Sequence, residues 1–142
     1  MGDDGIGLRL AETISDRGLD KGFRAVEIAH DLLKLLTWFD ESTERILVVD
    51  CVRMGRSPGE FAFFRPDDVI SDKSVGGLST HEGDLLKVIE LAEQLGQFVP
   101  RIRIMGIEPQ SMEQGMKLSA ILQGRFEIYL NAAVAEISKV CW

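Results

Sequence analysis

The chain has 142 residues, 45% of them hydrophobic and 27% charged, which fits one globular domain spanning residues 1–142 and not a disordered polypeptide. Its formal net charge of −7 argues against a nucleic-acid partner, because binding to a phosphate backbone requires clustered Lys and Arg side chains. An apolar run long enough to span a membrane and a signal-peptide pattern are both missing, and two cysteines are too few for a disulfide framework, so we expect a cytoplasmic protein without membrane insertion.

The first half of the chain predicts two helices and two strands. Apolar residues at helical spacing, followed by a glycine stop signal, predict a helix over residues 5–17. The segment FRAVEIA predicts a strand over residues 23–29, and DLLKLLTWF predicts a short helix over residues 31–39. The β-branched run RILVVDCV, residues 45–52, is typical of a parallel strand covered on both faces, so we expect it to be the central strand.

The second half predicts two more strands and two longer helices. EFAFF predicts a strand over residues 60–64, and a polar loop follows over residues 65–80. Helical periodicity predicts a helix over residues 80–95, and IRIMGI predicts a strand over residues 102–107. A final apolar stripe predicts a helix over residues 119–139. The predicted inner face of the helix at 80–95 consists of Leu85, Val88, Ile89, Ala92 and Leu95.

Strands that alternate with helices of this length indicate βαβ units. Their right-handed crossovers place helices on the two faces of one sheet. We therefore expect an α/β fold with a doubly wound, mostly parallel sheet and helices on both faces, in three layers.

Two acidic positions are candidates for a ligand site. Asp50 ends an apolar strand, and ligands of open parallel sheets bind at the carboxyl ends of the strands, although a solvated strand end is the simpler interpretation. Asp3 and Asp4 precede the first helix within a frame of glycines, where only one of them can serve as the N-cap. The other carboxylate is available for a cation site.

His81 is the third polar candidate. Ser79 and Glu82 have the spacing of a capping box, which makes His81 the second residue of the predicted helix. The positive end of a helix disfavours imidazolium, so this position favours a neutral imidazole that can bind a metal. A surface histidine in a first helical turn remains the simpler alternative. Two carboxylates and one imidazole would suit a divalent ion and leave coordination positions open.

Four segments, in this order, resemble motifs of the hydrogenase maturation endopeptidases: GDDGIGLRLAE, ILVVDCV, LSTHEGDLL and IRIMGIEPQSME. These enzymes trim a short C-terminal extension from the large subunit of nickel-iron hydrogenases. The resemblance covers nearly the whole chain. It implies a metal-dependent endopeptidase whose partner is the precursor large subunit of a nickel-iron hydrogenase.

The resemblance also implies roles for individual residues. In the family the metal is bound by the second acidic residue of the pair, by the aspartate that ends the third strand and by the histidine before the next helix. These positions correspond to Asp4, Asp50 and His81, which leaves Asp3 as the helix cap. The implied ion is Ni²⁺ that the precursor carries, although other divalent cations could occupy such a site. No catalytic group beyond these ligands is assigned.

Two further residues are weaker candidates for substrate binding. His30 ends the predicted strand at 23–29, where capping or surface solvation is the simpler role. Glu108 matches a family motif at a strand end, and we interpret it mainly as turn geometry beside the pocket, with substrate contact as the lesser alternative.

The sequence departs from the family pattern at its start. The family normally has a strand and a GxGN-like turn ahead of the acidic pair, whereas nothing precedes Met1 here. Either the chain begins inside the natural protein or the sheet lacks the family's first strand. A glycine-rich segment after the second strand is also missing, so a catalytically inactive binding relative is an alternative function.

A phospho-acceptor receiver domain is the alternative from another functional class. Asp3, Asp4, Asp50 and Thr80 resemble the acidic pair, acceptor and threonine of a receiver. A receiver also requires Lys-Pro at the tip of its last strand, whereas the corresponding strand here ends in Glu-Pro. The receiver hypothesis also gives no role to His81.

Overall fold

The computed structural model describes residues 5–28, 32–71, 80–110 and 117–142, without the side chains of residues 69–71 and 80–84. Three strands, five α-helices and one 3₁₀ helix lie in these ranges and form an α/β fold. No helix among the described residues is long and apolar enough to cross a membrane.

The first half of the chain contributes one long helix and two strands. Helix α1 spans Ile6–Asp16, and a 3₁₀ helix spans Leu32–Trp38. Strand β1 spans Arg45–Cys51, and strand β2 spans Phe61–Phe64. Gly5 occupies the N-cap position of α1 and has no side chain with which to cap the helix, while Asp3 lies outside the described residues.

The second half contributes four helices and the third strand. Helix α2 spans Pro66–Ser71, and helix α3 spans Thr80–Gln94. Strand β3 spans Arg101–Ile107. Helices α4, Ala120–Gly124, and α5, Phe126–Ile137, follow it. Most boundaries of the predicted elements are therefore within two residues of the observed ones.

The sheet has the strand order β1-β3-β2. Strands β1 and β3 are parallel, with Asp50 opposite Gly106, whereas β2 runs antiparallel to β3. The α/β class is confirmed, and the sheet of the described residues is mixed. The expectation that β1 is the central strand is wrong, because β3 lies between β1 and β2. An apolar run shows that both faces of a strand are covered, but it does not show whether both edges of the strand pair with other strands.

Helices cover both faces of the sheet, as the sequence predicted. Alternate side chains of β1 point to opposite faces, so Leu47 and Val49 pack with α1 and α5, whereas Ile46 and Val48 pack with α3 and the 3₁₀ helix. Two hydrophobic clusters result. The first includes Ile6, Leu10, Ile14, Met105, Ile107, Leu122, Tyr129 and Leu130. The second includes Leu35, Phe39, Leu85, Val88, Ala92, Ile102 and Ile104.

A cavity of about 1200 Å³ lies along β1. Residues 45–50 of β1 line it together with the segment 21–28, and α1 and the 3₁₀ helix contribute further apolar walls. Strand β1 pairs only with β3 among the described strands, so its second edge is not part of a ladder there.

The predicted strand at 23–29 is not observed, because residues 24–28 form no ladder and have no regular secondary structure. Phe23 and Ala25 pack against the first cluster and Ile28 against the second, whereas Val26 is 38% exposed. The apolar alternation therefore reports real packing. A strand also needs backbone partners, and alternation alone does not supply them.

Two other boundaries differ from the prediction. The polar loop expected at 65–80 contains α2, whose first position is a proline and whose first turn is acidic, both of which favour a helix start. The single helix expected at 119–139 is divided at Arg125, which has φ −105° and ψ 6°. Leu95 is 66% exposed because α3 ends at Gln94, so it does not belong to the buried face.

Candidate functional site

The parallel strands β1 and β3 end side by side, at Cys51 and Ile107. Asp50 and Glu108 lie at this edge, together with the loop at residues 52–60 that connects β1 to β2. We call this group of residues the carboxyl rim. It is the edge at which α/β sheets usually bind ligands.

Asp50 is half-buried at the end of β1 and lines the cavity. Its Oδ1 accepts a hydrogen bond of 2.8 Å from the backbone N–H of Cys51. This hydrogen bond fixes the orientation of the carboxylate. Asp50 is therefore an oriented acidic group beside a large cavity, which suits a cation ligand.

The start of α1 lies against the end of β1. A Cβ atom placed on Gly7 would lie only 2.4 Å from the carbonyl oxygen of Val49, so helix and strand approach as closely as a glycine permits. Gly5 lines the same cavity as Asp50. Asp4 itself lies outside the described residues.

The two histidines are less fully described. Helix α3 begins at Thr80, so His81 is its second residue, as the capping pattern predicted, but the structure does not describe its side chain. Leu85, one helical turn later, lines the same cavity as Asp50. His30 lies outside the described residues. Within the part of the chain that is described, no three His, Cys, Asp or Glu side chains form a metal-binding group.

Glu108 holds the loop of the carboxyl rim in place. Its side chain is buried, and Oε1 accepts hydrogen bonds from the backbone N–H groups of Met54, at 2.7 Å, and Arg56, at 3.0 Å. Its backbone N–H donates to the carbonyl of Glu60, and its carbonyl accepts from the N–H of Gly59, both at 2.8 Å. Glu108 therefore does shape the turn after β3: its hydrogen bonds clamp the loop at residues 52–60 to the end of this strand.

Tyr129 anchors the same loop from α5, a contact that sequence reasoning missed. Its buried hydroxyl donates a hydrogen bond of 2.6 Å to the carbonyl of Gly59. Gly59 has φ +90°, and a Cβ there would lie 2.6 Å from Ile121. The signal in the sequence was a tyrosine in an otherwise apolar stripe, because a buried hydroxyl normally requires a partner.

A sequence model described as hydrogenase maturation protease matches residues 9–136. The chain belongs to this family. HupD from Rhodobacter capsulatus, a hydrogenase expression/formation protein, is 28% identical over 137 residues, which cover 95% of this chain and 65% of HupD. FrxA from Pyrococcus furiosus is 24% identical, and the match covers 84% of each chain. The chain spans about two thirds of the length of most of the curated relatives it matches, including HupD.

Solved structures of the family have the same fold. The hydrogenase maturating endopeptidase HybD from E. coli superposes with a TM-score of 0.77 at 19% identity, covering 97% of this chain and 87% of HybD. The [NiFe] hydrogenase maturation protease HybD from Thermococcus kodakarensis gives a TM-score of 0.73 at 24% identity, with coverages of 98% and 92%. Family membership and fold together exclude the receiver-domain alternative.

Proposed function

We propose that this chain is an endopeptidase that removes a short C-terminal extension from the nickel-loaded large-subunit precursor of a nickel-iron hydrogenase. Membership of the maturation protease family supports this reaction class. The observation that carries the proposal is the placement of Asp50, an oriented carboxylate at the carboxyl end of β1 and beside the cavity. We also propose that its partner is the precursor large subunit and that it acts in the cytoplasm.

We further propose that Asp4, Asp50 and His81 together bind the nickel ion that the precursor carries. A donor set of two carboxylate oxygens and one imidazole nitrogen suits a divalent transition metal and leaves coordination positions for the precursor's own ligands. The close approach of Gly7 to Val49 supports this grouping, because it brings the segment after Asp4 to the end of β1. The bound ion would supply Lewis acidity at the scissile carbonyl.

The chain's own contribution to the reaction is positioning. The Cys51 N–H holds the Asp50 carboxylate, and Glu108 holds the adjoining loop through two backbone N–H groups. Groups that are fixed before the substrate arrives need no reorganisation during the reaction. An inactive relative would retain these contacts and bind the precursor without cleaving it. Only the appearance of a cleaved product therefore distinguishes an active peptidase from an inactive binding relative.

The test is incubation of the purified chain with a nickel-loaded large-subunit precursor, followed by mass spectrometry of the precursor. We expect a loss of mass that corresponds to a short C-terminal peptide. The variant Asp50→Asn keeps the acceptor oxygen for Cys51 but not the charge, so it should fold and should not process. Asp16→Asn, at an exposed position at the end of α1, is the matched control. Binding without mass loss would instead identify an inactive relative.

A further inference from the structure

Three arginines lie in or beside the loop at residues 52–60. Arg53 and Arg56 belong to the loop and are exposed, and the stem of Arg125 packs against Gly59. None of these three guanidinium groups has a hydrogen bond or ion pair within the described chain. Arg17 on α1, by contrast, is paired with Glu127.

The Nε atom of Arg125 gives the most specific indication of a ligand. It is buried and has no hydrogen-bond partner in the described structure. A buried donor without a partner costs free energy, so a rearrangement of the Arg125 side chain that brings Nε to an acceptor would be favourable. Arg125 also occupies the N-cap position of α5, where the helix dipole opposes a cation and favours an anion.

The loop that carries these groups is held rigidly. Glu108 accepts hydrogen bonds from two of its N–H groups, and Tyr129 donates to its Gly59 carbonyl. The described carboxylates beside the loop accept from backbone groups: Glu108 from the loop, Glu60 from the N–H of Ser57 at 3.2 Å, and Asp50 from the N–H of Cys51. The backbone that carries Arg53 and Arg56 is thus fixed before an anion arrives, which lowers the entropic cost of ordering the loop on binding.

We propose that Arg56 and Arg125, with Arg53 at the periphery, form a carboxylate-binding site that holds the C-terminal extension of the precursor. This inference rests on the proposed function and names the part of the substrate that the rim recognises. Guanidinium groups bind carboxylates through paired hydrogen bonds, and the loop begins two residues after Asp50. The carboxylate belongs either to the chain terminus of the extension or to one of its acidic side chains.

Fluorescence anisotropy tests this site independently of cleavage. The probe is a fluorescein-labelled peptide of the last eight residues of the precursor, prepared as the free acid, as the C-terminal amide and with its acidic side chains replaced by amides. Each is titrated with the wild-type chain, with Arg56→Gln and with Arg125→Gln. Arg9→Gln is the matched control, because Arg9 is exposed on α1 and remote from the loop in sequence.

We expect the wild-type chain to bind the free acid, and either Arg56→Gln or Arg125→Gln to weaken binding about tenfold. Arg9→Gln should have no effect. If the wild-type chain binds the C-terminal amide about tenfold more weakly than the free acid, the chain terminus is the ligand. If it instead binds the peptide with amidated side chains more weakly, an acidic side chain is the ligand. The inference is overturned if the wild-type chain binds none of the peptides, or if the Arg56 and Arg125 variants bind as tightly as the wild type. Arginine-dependent binding without processing of the precursor would refute the peptidase and leave this site standing.

Discussion

The two edges of β1 differ in how much of the structure holds them. On one edge β1 pairs with β3 along its whole length, and the loop that follows is fixed by Glu108 and Tyr129. On the other edge lie the cavity and the segment 21–28, which makes no ladder with β1. The loop of the carboxyl rim is therefore held from the β3 side, and substitutions that remove these contacts should cost more stability than substitutions beside the cavity.

The largest effect is expected from Glu108→Ala, which leaves the N–H groups of Met54 and Arg56 without their acceptor. Because these donors are part-buried, we expect a loss of about 3 kcal/mol in the free energy of unfolding. Urea denaturation followed by circular dichroism measures it. Glu93→Ala, at an exposed position on α3, is the matched control and should change stability little. Equal stability of the two variants would contradict the clamp.

Glu136 on α5 links the helix to β3 and adds a pH dependence to the same side. Burial raises the pKa of Glu136, but hydrogen bonds from Lys139 and Arg103, both at 2.6 Å, outweigh it and leave the pKa below its ordinary value. The ionised carboxylate therefore stabilises the fold above the pKa of the unfolded chain. This stabilisation is lost as the pH falls through the lowered pKa of the folded state.

We expect Glu136→Gln to destabilise the protein by about 1.5 kcal/mol near pH 7, because it removes the charge from both hydrogen bonds. The deficit should shrink as the pH falls below the ordinary pKa of a glutamate, where the unfolded chain binds the proton first, and should vanish below the lowered pKa of the folded carboxylate. Urea denaturation of both proteins between pH 3 and pH 7, at roughly one-unit steps, measures the difference. A deficit that stays constant over this range would show that the charge of Glu136 does not contribute.

Tyr129→Phe should have a smaller effect than either carboxylate substitution. It removes the hydrogen bond to the Gly59 carbonyl and keeps the ring, which packs edge-on against Phe61. We expect a loss of about 1 kcal/mol in the free energy of unfolding. Faster hydrogen exchange at the N–H of Gly59 would show that the loop loosens, and unchanged exchange would mean that Glu108 alone holds it.

Val26→Ala, in the segment beside the cavity, should have the smallest effect. Val26 is partly exposed and belongs to a segment without regular structure. We expect a change within about 0.5 kcal/mol. A loss as large as that of Glu108→Ala would remove the difference between the two edges, because the cavity side would then contribute as much to stability as the β3 side.

The parts of the fold that the sequence predicted correctly are those in which a residue pattern reports burial. The helical spacing of Ile6, Leu10 and Ile14 matches a buried face of α1, and β1 and β3 are covered on both faces. The strand expected at 23–29 was wrong for residues 24–28, because their alternation reflects packing on two clusters and they have no ladder partner among the described residues. Patterns of hydrophobicity record which side chains are buried, and backbone pairing between distant segments leaves no comparable local signal.

The candidate site was only partly predictable for a similar reason. Asp50 was identifiable because it interrupts an apolar run at the end of a strand. The role of Glu108 in holding the loop was harder to predict, since its partners are N–H groups more than 50 residues away. Every residue except proline has a backbone N–H, so the sequence does not show which ones Glu108 binds. Asp4 and His81 remain predictions, because one residue and the other's side chain lie outside the described structure.

The most direct test of the account is a comparison of precursor processing by the wild-type chain and by Asp50→Asn, read by mass spectrometry of a nickel-loaded large-subunit precursor. The account predicts that the wild type shortens the precursor at its C-terminus and that Asp50→Asn, although folded, does not. Processing by Asp50→Asn at the wild-type rate would contradict the assignment of the carboxyl rim as the active site.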